Sequence, residues 1–129
     1  MSAYARNSKL AAYQSVSVHG GVASADPHRL VLMLMDGALE RLTMAQGCIE
    51  RGQIGKKAAL LHQCTGIIAE LRGSLDLQKG GPLAQNLSDL YDYMLRQMLQ
   101  ANLHSNTALI KEVISLLSEI RGAWVAIAP

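Results

Sequence analysis

The 129-residue sequence contains no phenylalanine and shows little alternation of β-branched with polar residues, so it lacks the usual signature of a β-sheet. Half of its residues are hydrophobic, and Leu, Ala, Ile, Val and Met supply most of them, which favours helices. A chain of this length fits one domain and can bury roughly two-thirds of the surface that its unfolded form exposes. The sequence therefore predicts an all-α protein whose single domain spans residues 1–129.

The chain also lacks a strong charge of one sign. Twelve Lys and Arg residues are scattered among ten Asp and Glu residues, for a formal net charge of +2. Nucleic-acid-binding domains usually carry a one-sided basic surface interleaved with aromatics, and the sequence has none. No stretch approaches the ~18 apolar residues of a membrane span, and the N-terminus lacks the apolar core of a secretion signal. We therefore expect a cytoplasmic protein with no nucleic-acid partner and no stable membrane insertion.

Cysteine is scarce, with only Cys48 and Cys64 present. Both fall within helical patterns, and an antiparallel hairpin that turns near Gly52 would place them at different heights. A cytosolic compartment would also keep them reduced. We predict two small core residues and no disulfide.

The stretch 26–51 has the pattern of a long helix. Asp26 can cap the helix through its carboxylate, and Pro27 suits the first helical position, where no N–H is needed. The six apolar residues Leu30–Met35 are too many for the stripe that a surface helix buries against one core. Its polar positions are Arg29, Asp36, Glu40, Thr43 and Glu50. We expect a helix over 27–51 that is covered on more than one side, either by this chain or by another.

Three more helical patterns follow this stretch, over 54–77, 82–102 and a final segment after Asn106, which is a predicted cap. Gly80-Gly81-Pro82 separates the first two, since glycine ends helices and proline begins them. Short connections suit antiparallel neighbours. The sequence therefore predicts an antiparallel up-down four-helix bundle over 26–129. A mobile N-terminal segment, 1–25, would add a short helix packed on the bundle.

No constellation of residues predicts an enzyme. The four histidines lie on different elements, and none has a partner at the spacing that metal-binding helices use. We expect no catalytic residue, no cofactor and no metal. One alternative stays open, because His62 in mid-helix, followed by Gly66, resembles the phosphoacceptor of histidine phosphotransfer bundles. Thr65 stands where those domains carry a lysine.

The methionines and tyrosines of the longest apolar helices have two interpretations. A single methionine usually fills a core, whereas several together resemble the deformable surfaces that hold amphipathic partner helices. The residues concerned are Met33, Met35, Met44, Met94, Met98, Tyr91 and Tyr93. Taken together they favour a partner-binding groove.

Several segments, in order along most of the chain, resemble the flagellin-specific export chaperone family, FliS. They are Tyr13-Gln14 followed by Val16, then Pro27, Leu30–Ala38, Leu75-Asp76, Gly80-Gly81, Leu87–Met94 and Ala101-Asn102. Family members often carry an aromatic residue immediately before the Asp-Gly pair, where this chain has Met35.

The resemblance implies a non-enzymatic α-bundle that binds the disordered C-terminal segment of flagellin in the cytoplasm. It would prevent premature polymerisation and deliver the subunit to a component of the flagellar type III export gate. The resemblance also implies that the segment around Tyr13 packs on the bundle and gives way to flagellin. A homodimer formed by swapping this segment is left open.

The predicted groove lies mainly among the helices over 27–51, 54–77 and 82–102. Its partner-binding residues are Leu30, Val31, Leu34 and Met35 on one wall, Leu87, Tyr91 and Met94 on another, and Tyr13 as the internal competitor.

Overall fold

The computed structural model describes residues 26–128, which form four α-helices joined by short turns. The helices are α1 (Pro27–Glu50), α2 (Ile54–Gly73), α3 (Leu77–His104) and α4 (Thr107–Ala126). α1 packs mainly against α2 and α4, and α3 packs against the same two helices. The chain reverses at each turn, so the predicted antiparallel four-helix bundle is confirmed. The predicted N-terminal helix and Tyr13 lie outside the described residues.

Side-chain caps set where three of the helices begin. Asp26, Asp76 and Asn106 each accept a hydrogen bond from a backbone N–H two or three residues further along, at 2.8–3.0 Å. These bonds satisfy donors that have no partner within the helix. The caps at Asp26 and Asn106 were predicted, whereas the one at Asp76 was not.

The connection between α2 and α3 differs from the prediction. α2 ends at Gly73 instead of continuing to 77, and α3 begins at Leu77 because Asp76 caps it. Gly81 lies within α3 with φ +57° and ψ −140°, a conformation that glycine adopts without steric cost. Pro82 follows it. The glycine–proline sequence therefore kinks α3 after its first turn and does not mark the helix start.

The hydrophobic core runs between the four helices. Its largest fully buried side chains are Leu30, Met35, Leu42, Cys48, Leu61, Ile68, Leu71, Met94, Met98, Ile110, Val113 and Leu117. The broad apolar stripe of α1 is covered because this helix has two neighbours, α2 and α4. This chain thus supplies most of the second cover that the pattern requires.

The methionines divide between core and surface. Met35, Met94 and Met98 are buried, as a core-filling role predicts. Met33 and Met44 are 37% and 42% exposed, so only these two remain on the surface of α1.

Both cysteines are free and buried, as predicted. The Cys64 thiol lies 3.7 Å from the Ala38 carbonyl oxygen, which places α2 close to the α1 backbone. Burial raises the pKa of the Cys64 thiol to about 12. The protonated thiol behaves as a small apolar group.

A polar contact joins each pair of neighbouring helices. The four contacts are Arg41 Nε to Gln63 Oε1 at 3.0 Å, Arg72 Nη1 to Asp92 Oδ1 at 2.5 Å, Tyr93 Oη to Glu112 Oε1 at 2.8 Å, and Arg121 Nε to Asp36 Oδ1 at 2.5 Å. Two of them, Arg72–Asp92 and Arg121–Asp36, are ion pairs. Partly exposed ion pairs contribute at most about 1 kcal/mol each, so these two align the helices more than they stabilise them.

A buried lysine lies where α2 begins and α3 ends. Lys57 is 2% exposed, and its Nζ donates to the Asn102 carbonyl oxygen at 2.8 Å and to Ser105 Oγ at 2.9 Å. Ser105 has a left-handed backbone with φ +48° and ends α3. The ammonium group therefore caps the C-terminal carbonyls of α3, where a positive charge is favoured.

Candidate binding groove

An apolar groove opens between the first half of α3 and the last turns of α4. It has a volume of about 420 Å³ and is lined by Leu83, Leu87, Glu119, Ile120, Ala123, Trp124 and Ile127. Leu83 and Ile127 are 57% and 56% exposed, so large apolar side chains face solvent on both sides. Concave apolar surfaces of this kind are typical binding sites. We call this feature the α3–α4 groove.

Helical spacing explains why these residues share one surface. Leu83 and Leu87 are four residues apart, so they lie on the same face of α3 one turn from each other. The end of α4 supplies four lining residues at steps of three, one and three, namely Ile120, Ala123, Trp124 and Ile127. This spacing also groups them on one face. Two apolar stripes thus border the groove, and Glu119 contributes the one acidic side chain among its lining residues.

The first turn of α1 holds the Trp124 side of the groove. Trp124 Nε1 donates to the His28 carbonyl oxygen at 2.8 Å, and His28 Nε2 donates to the Trp124 carbonyl oxygen at 2.6 Å. The two rings stack with centroids 4.6 Å apart and planes 4° from parallel. His28 is 7% exposed. We call this pair of hydrogen bonds and the stack the His28–Trp124 clasp.

A second depression, of about 330 Å³, lies between α1 and α2. It is lined by Leu34, Arg41, Gln63, Gly66, Ile67 and Glu70, and the Arg41–Gln63 hydrogen bond joins the two helices there. Leu34 and Ile67 supply its apolar side chains, and Arg41, Gln63 and Glu70 supply its polar ones. It therefore offers a partner both apolar and polar contacts.

The predicted partner-binding residues fall in three places. Leu87 lines the α3–α4 groove, and the half-buried Leu34 lines the depression between α1 and α2. The other five within 26–128 are buried in the bundle: Leu30, Val31, Met35, Tyr91 and Met94. Their role in binding stays a prediction. Tyr13 lies outside the described residues.

Sequence reasoning did not assign Leu83, Trp124 or Ile127 to a groove. Their helical spacing places them in apolar stripes, which look the same whether the stripe faces a core or solvent. One signal of an exposed apolar surface was available in the sequence. The apolar stripe of the last helix continues to Ile127, at the end of α4.

The described residues give no support to catalytic chemistry at the candidates weighed above. His62 is exposed on α2, as a surface residue would be. The thiol of Cys64 is buried and protonated, which makes it a poor nucleophile. Across 26–128, no three His, Cys, Asp or Glu side chains are grouped so that they could hold a metal ion. Among the four described helices, none has the length and apolar character needed to cross a membrane.

A helical bundle with an open apolar groove defines a protein that binds other polypeptides. The family described as flagellar protein FliS matches residues 9–129. The chain is 46% identical over 116 residues to the flagellar secretion chaperone FliSB of Pseudomonas aeruginosa, covering 90% of this chain and 92% of the relative. It is 46% identical over 123 residues to flagellar secretion chaperone FliS of Salmonella typhimurium, covering 95% and 91%. The chain therefore belongs to the FliS family.

More distant relatives agree with this assignment. Flagellar secretion chaperone FliS of Bacillus subtilis is 34% identical over 113 residues, which cover 88% of this chain and 80% of the relative. These relatives confirm the predicted class, an export chaperone. The phosphotransfer alternative for His62 gains no support.

Proposed function

We propose that this protein is a cytoplasmic export chaperone that holds the disordered C-terminal segment of flagellin in the α3–α4 groove. The bound subunit would be kept from polymerising until it reaches the flagellar type III export gate. The observation that carries this proposal is the open apolar groove in a chain whose relatives are secretion chaperones. One domain over residues 1–129 would perform the whole task.

The exposed rims of the groove provide the binding energy that such a client needs. A disordered segment loses conformational entropy as it binds, and burial of apolar surface has to offset that loss. Leu83 and Ile127 are both more than half exposed, and full burial of such a side chain contributes about 1.5–3 kcal/mol. An amphipathic client helix, with apolar residues three and four apart, matches the stripes of α3 and α4.

The predicted contact residues divide into three roles under this proposal. Leu87 contacts the client directly, and Leu34 offers a second contact on the α1–α2 side. The five buried residues named above support the bundle and contact the client only if the helices separate. Tyr13 acts as an internal competitor for the client site.

The complex we propose has one chaperone and one flagellin segment. A homodimer that covers the α3–α4 groove would compete with flagellin for the same surface. Light scattering during size-exclusion chromatography, with and without the flagellin peptide, separates these assemblies. If the peptide dissociates a dimer, the two protomers associate through the groove.

Two leucines of α3 provide a matched test of the groove. Leu83 lines the groove and is 57% exposed, whereas Leu99 is 58% exposed and does not line it. Calorimetric titration with a flagellin C-terminal peptide should show at least about a tenfold loss of affinity for Leu83→Asp, since burying a charge unpaired in an apolar site is costly. Leu99→Asp should bind like the wild type.

The possible results separate two kinds of failure. Equal affinities for the wild type and both variants would show that the client binds elsewhere. Absence of saturable binding by the wild-type protein would contradict the proposed function itself.

A further inference from the structure

Trp124 is the only tryptophan of the chain, and it separates two open volumes. On one side it lines the α3–α4 groove of about 420 Å³. On the other side its stacking partner His28 lines a depression of about 230 Å³. The remaining residues of that depression are Asp26, Arg29, Leu32, Val125 and Ala128. The stacked rings therefore form the partition between the groove and this depression.

Two hydrogen bonds between His28 and Trp124 hold the stacked rings in place. Trp124 lies in the last turn of α4, and its carbonyl oxygen accepts the Ile127 N–H at 3.3 Å as well as the His28 hydrogen bond. The His28 Nε2 group donates to the Trp124 carbonyl oxygen, and the indole N–H donates back to the His28 carbonyl oxygen. The two residues are 96 positions apart, so the clasp joins the beginning of α1 to the end of α4.

Loss of the imidazole would loosen the indole in two respects, while the indole N–H keeps its bond to the His28 backbone carbonyl oxygen. The Trp124 carbonyl would lose its side-chain donor, and the ring would lose the stack that fixes its plane. The depression behind His28 gives the indole space to shift away from the groove. The shape of the groove wall thus depends on a residue that does not line the groove.

We propose that His28 is a positioning residue for client binding, which acts by holding the Trp124 indole as a fixed wall of the α3–α4 groove. This inference rests on the proposed function, because it assigns the groove to an apolar client segment. His28 itself does not contact the client. Its effect on affinity is transmitted through the orientation of Trp124.

Three substitutions separate the components of the clasp. His28→Phe keeps an aromatic ring for stacking but removes the donor to the Trp124 carbonyl. His28→Gln keeps a side-chain donor but removes the ring, and His28→Ala removes both. The matched control is Asp36→Asn, which weakens the Arg121–Asp36 contact between the same two helices. Asp36 does not line the groove.

Each variant is measured in three ways on the full chain. Calorimetric titration with the flagellin C-terminal peptide gives the affinity, and circular dichroism with urea unfolding gives helix content and stability. Acrylamide quenching of tryptophan fluorescence reports on Trp124 alone, since the chain has no other tryptophan. Quenching needs no client, so it tests the position of the indole independently of binding.

We expect His28→Ala to weaken peptide affinity by about threefold to tenfold, because it removes one hydrogen bond and one ring stack. Acrylamide should quench Trp124 more strongly in this variant than in the wild type. His28→Phe and His28→Gln should each recover part of the affinity and part of the protection. Asp36→Asn should match the wild type in affinity and in quenching.

Wild-type affinity and quenching in a folded His28→Ala protein would overturn the inference. An equal loss of affinity in Asp36→Asn would also overturn it, because the effect would then be a general loosening of α1 against α4. If His28→Ala does not fold, the other two substitutions decide by the same criteria. If the wild-type protein binds no peptide, the proposed function fails, and unchanged quenching in the His28 variants overturns the positioning role separately.

Discussion

The α1–α2 interface packs closely at Ala38 and Cys64, beside a depression of about 330 Å³, whereas the α3–α4 interface opens into an apolar groove of about 420 Å³ at one end. Where α1 meets α2, Ala38 and Cys64 are fully buried, and the Cys64 thiol approaches the Ala38 carbonyl oxygen to 3.7 Å. Where the groove opens, the bordering residues include Leu83, Leu87 and Trp124. Small side chains let two helices approach closely, and large ones hold them apart. At the contact of Ala38 with Cys64 the side chains are small, whereas large apolar side chains border the groove.

The α3–α4 interface is itself divided into two parts. Further along α3, Tyr93 Oη and Gln97 Nε2 both donate to Glu112 Oε1, at 2.8 and 3.0 Å, and tie the two helices together. The kink at Gly81 lies at the other end, next to the groove. The helices are therefore joined where α3 ends and α4 begins, and they leave a binding surface at the opposite end.

The largest effect is expected from a change in the closed core. Met94 is 0% exposed, so Met94→Ala should leave a cavity and lower the free energy of unfolding by about 2–5 kcal/mol. Urea unfolding measures this loss. The folded fraction should bind the flagellin peptide like the wild type. A strong loss of affinity with nearly unchanged stability would instead make Met94 a contact residue, as the sequence predicted.

The fold could be predicted because its signals are local. Apolar spacing located all four helices, and Asp26 and Asn106 were recognised as caps from their side chains alone. The start of α3 was wrong, because Gly80-Gly81-Pro82 has the composition of a helix boundary. Asp76 caps a helix only if the chain leaves α2 before it, which a local pattern does not determine.

The candidate site was harder to predict because it depends on distances between helices. Leu87 lines the α3–α4 groove, whereas the predicted groove lay among α1, α2 and α3, and the same kind of apolar stripe on α1 packs against two neighbours. The stripes of α3 and α1 contain the same types of apolar residue, so residue type does not show which stripe borders a groove. The clasp joins His28 to Trp124 across 96 positions, and helical periodicity contains no information about such a contact.

An enlarged side chain would test whether close approach keeps the α1–α2 interface closed. Ala38→Leu should lower the free energy of unfolding by about 1–3 kcal/mol, since overpacking forces the helices apart. The control is Ala59→Leu on the exposed face of α2, which should change stability little. Urea unfolding compares the two. Equal stability for both variants would show that the α1–α2 interface has spare room.

Alkaline pH should also destabilise the folded protein through two groups of the buried core. Burial raises the pKa values of Cys64 and Tyr91 to about 12, so the folded state keeps protons that the unfolded state releases. Stability should be fully present below the ordinary pKa values and fall as the pH rises towards 12, by about 1.4 kcal/mol per pH unit for each group. Urea unfolding from neutral to alkaline pH measures the slope. Cys64→Ala should reduce it, and a wild-type stability that stays flat would contradict the burial of both groups.

The smallest expected effect on stability concerns the kink beside the open groove. Gly81 has φ +57°, and a Cβ there would meet nothing within 4 Å, so Gly81→Ala adds backbone strain of about 1 kcal/mol without a clash. Gly55→Ala is the matched control, since Gly55 lies inside α2 with equally open space and lines neither the groove nor the α1–α2 depression. It should stabilise the protein by about 0.5–1 kcal/mol, because alanine favours helices over glycine. Thermal unfolding should therefore give shifts of opposite sign.

The same pair of variants tests whether the kink shapes the groove. Leu83 follows Gly81 by two residues, so relief of the strain by straightening α3 would move Leu83 on the groove rim. Peptide affinity should then fall in Gly81→Ala and stay unchanged in Gly55→Ala. If Gly81→Ala lowers stability but binds the peptide like the wild type, the kink only accommodates the chain. The position of the groove would then depend on α4 and the clasp alone.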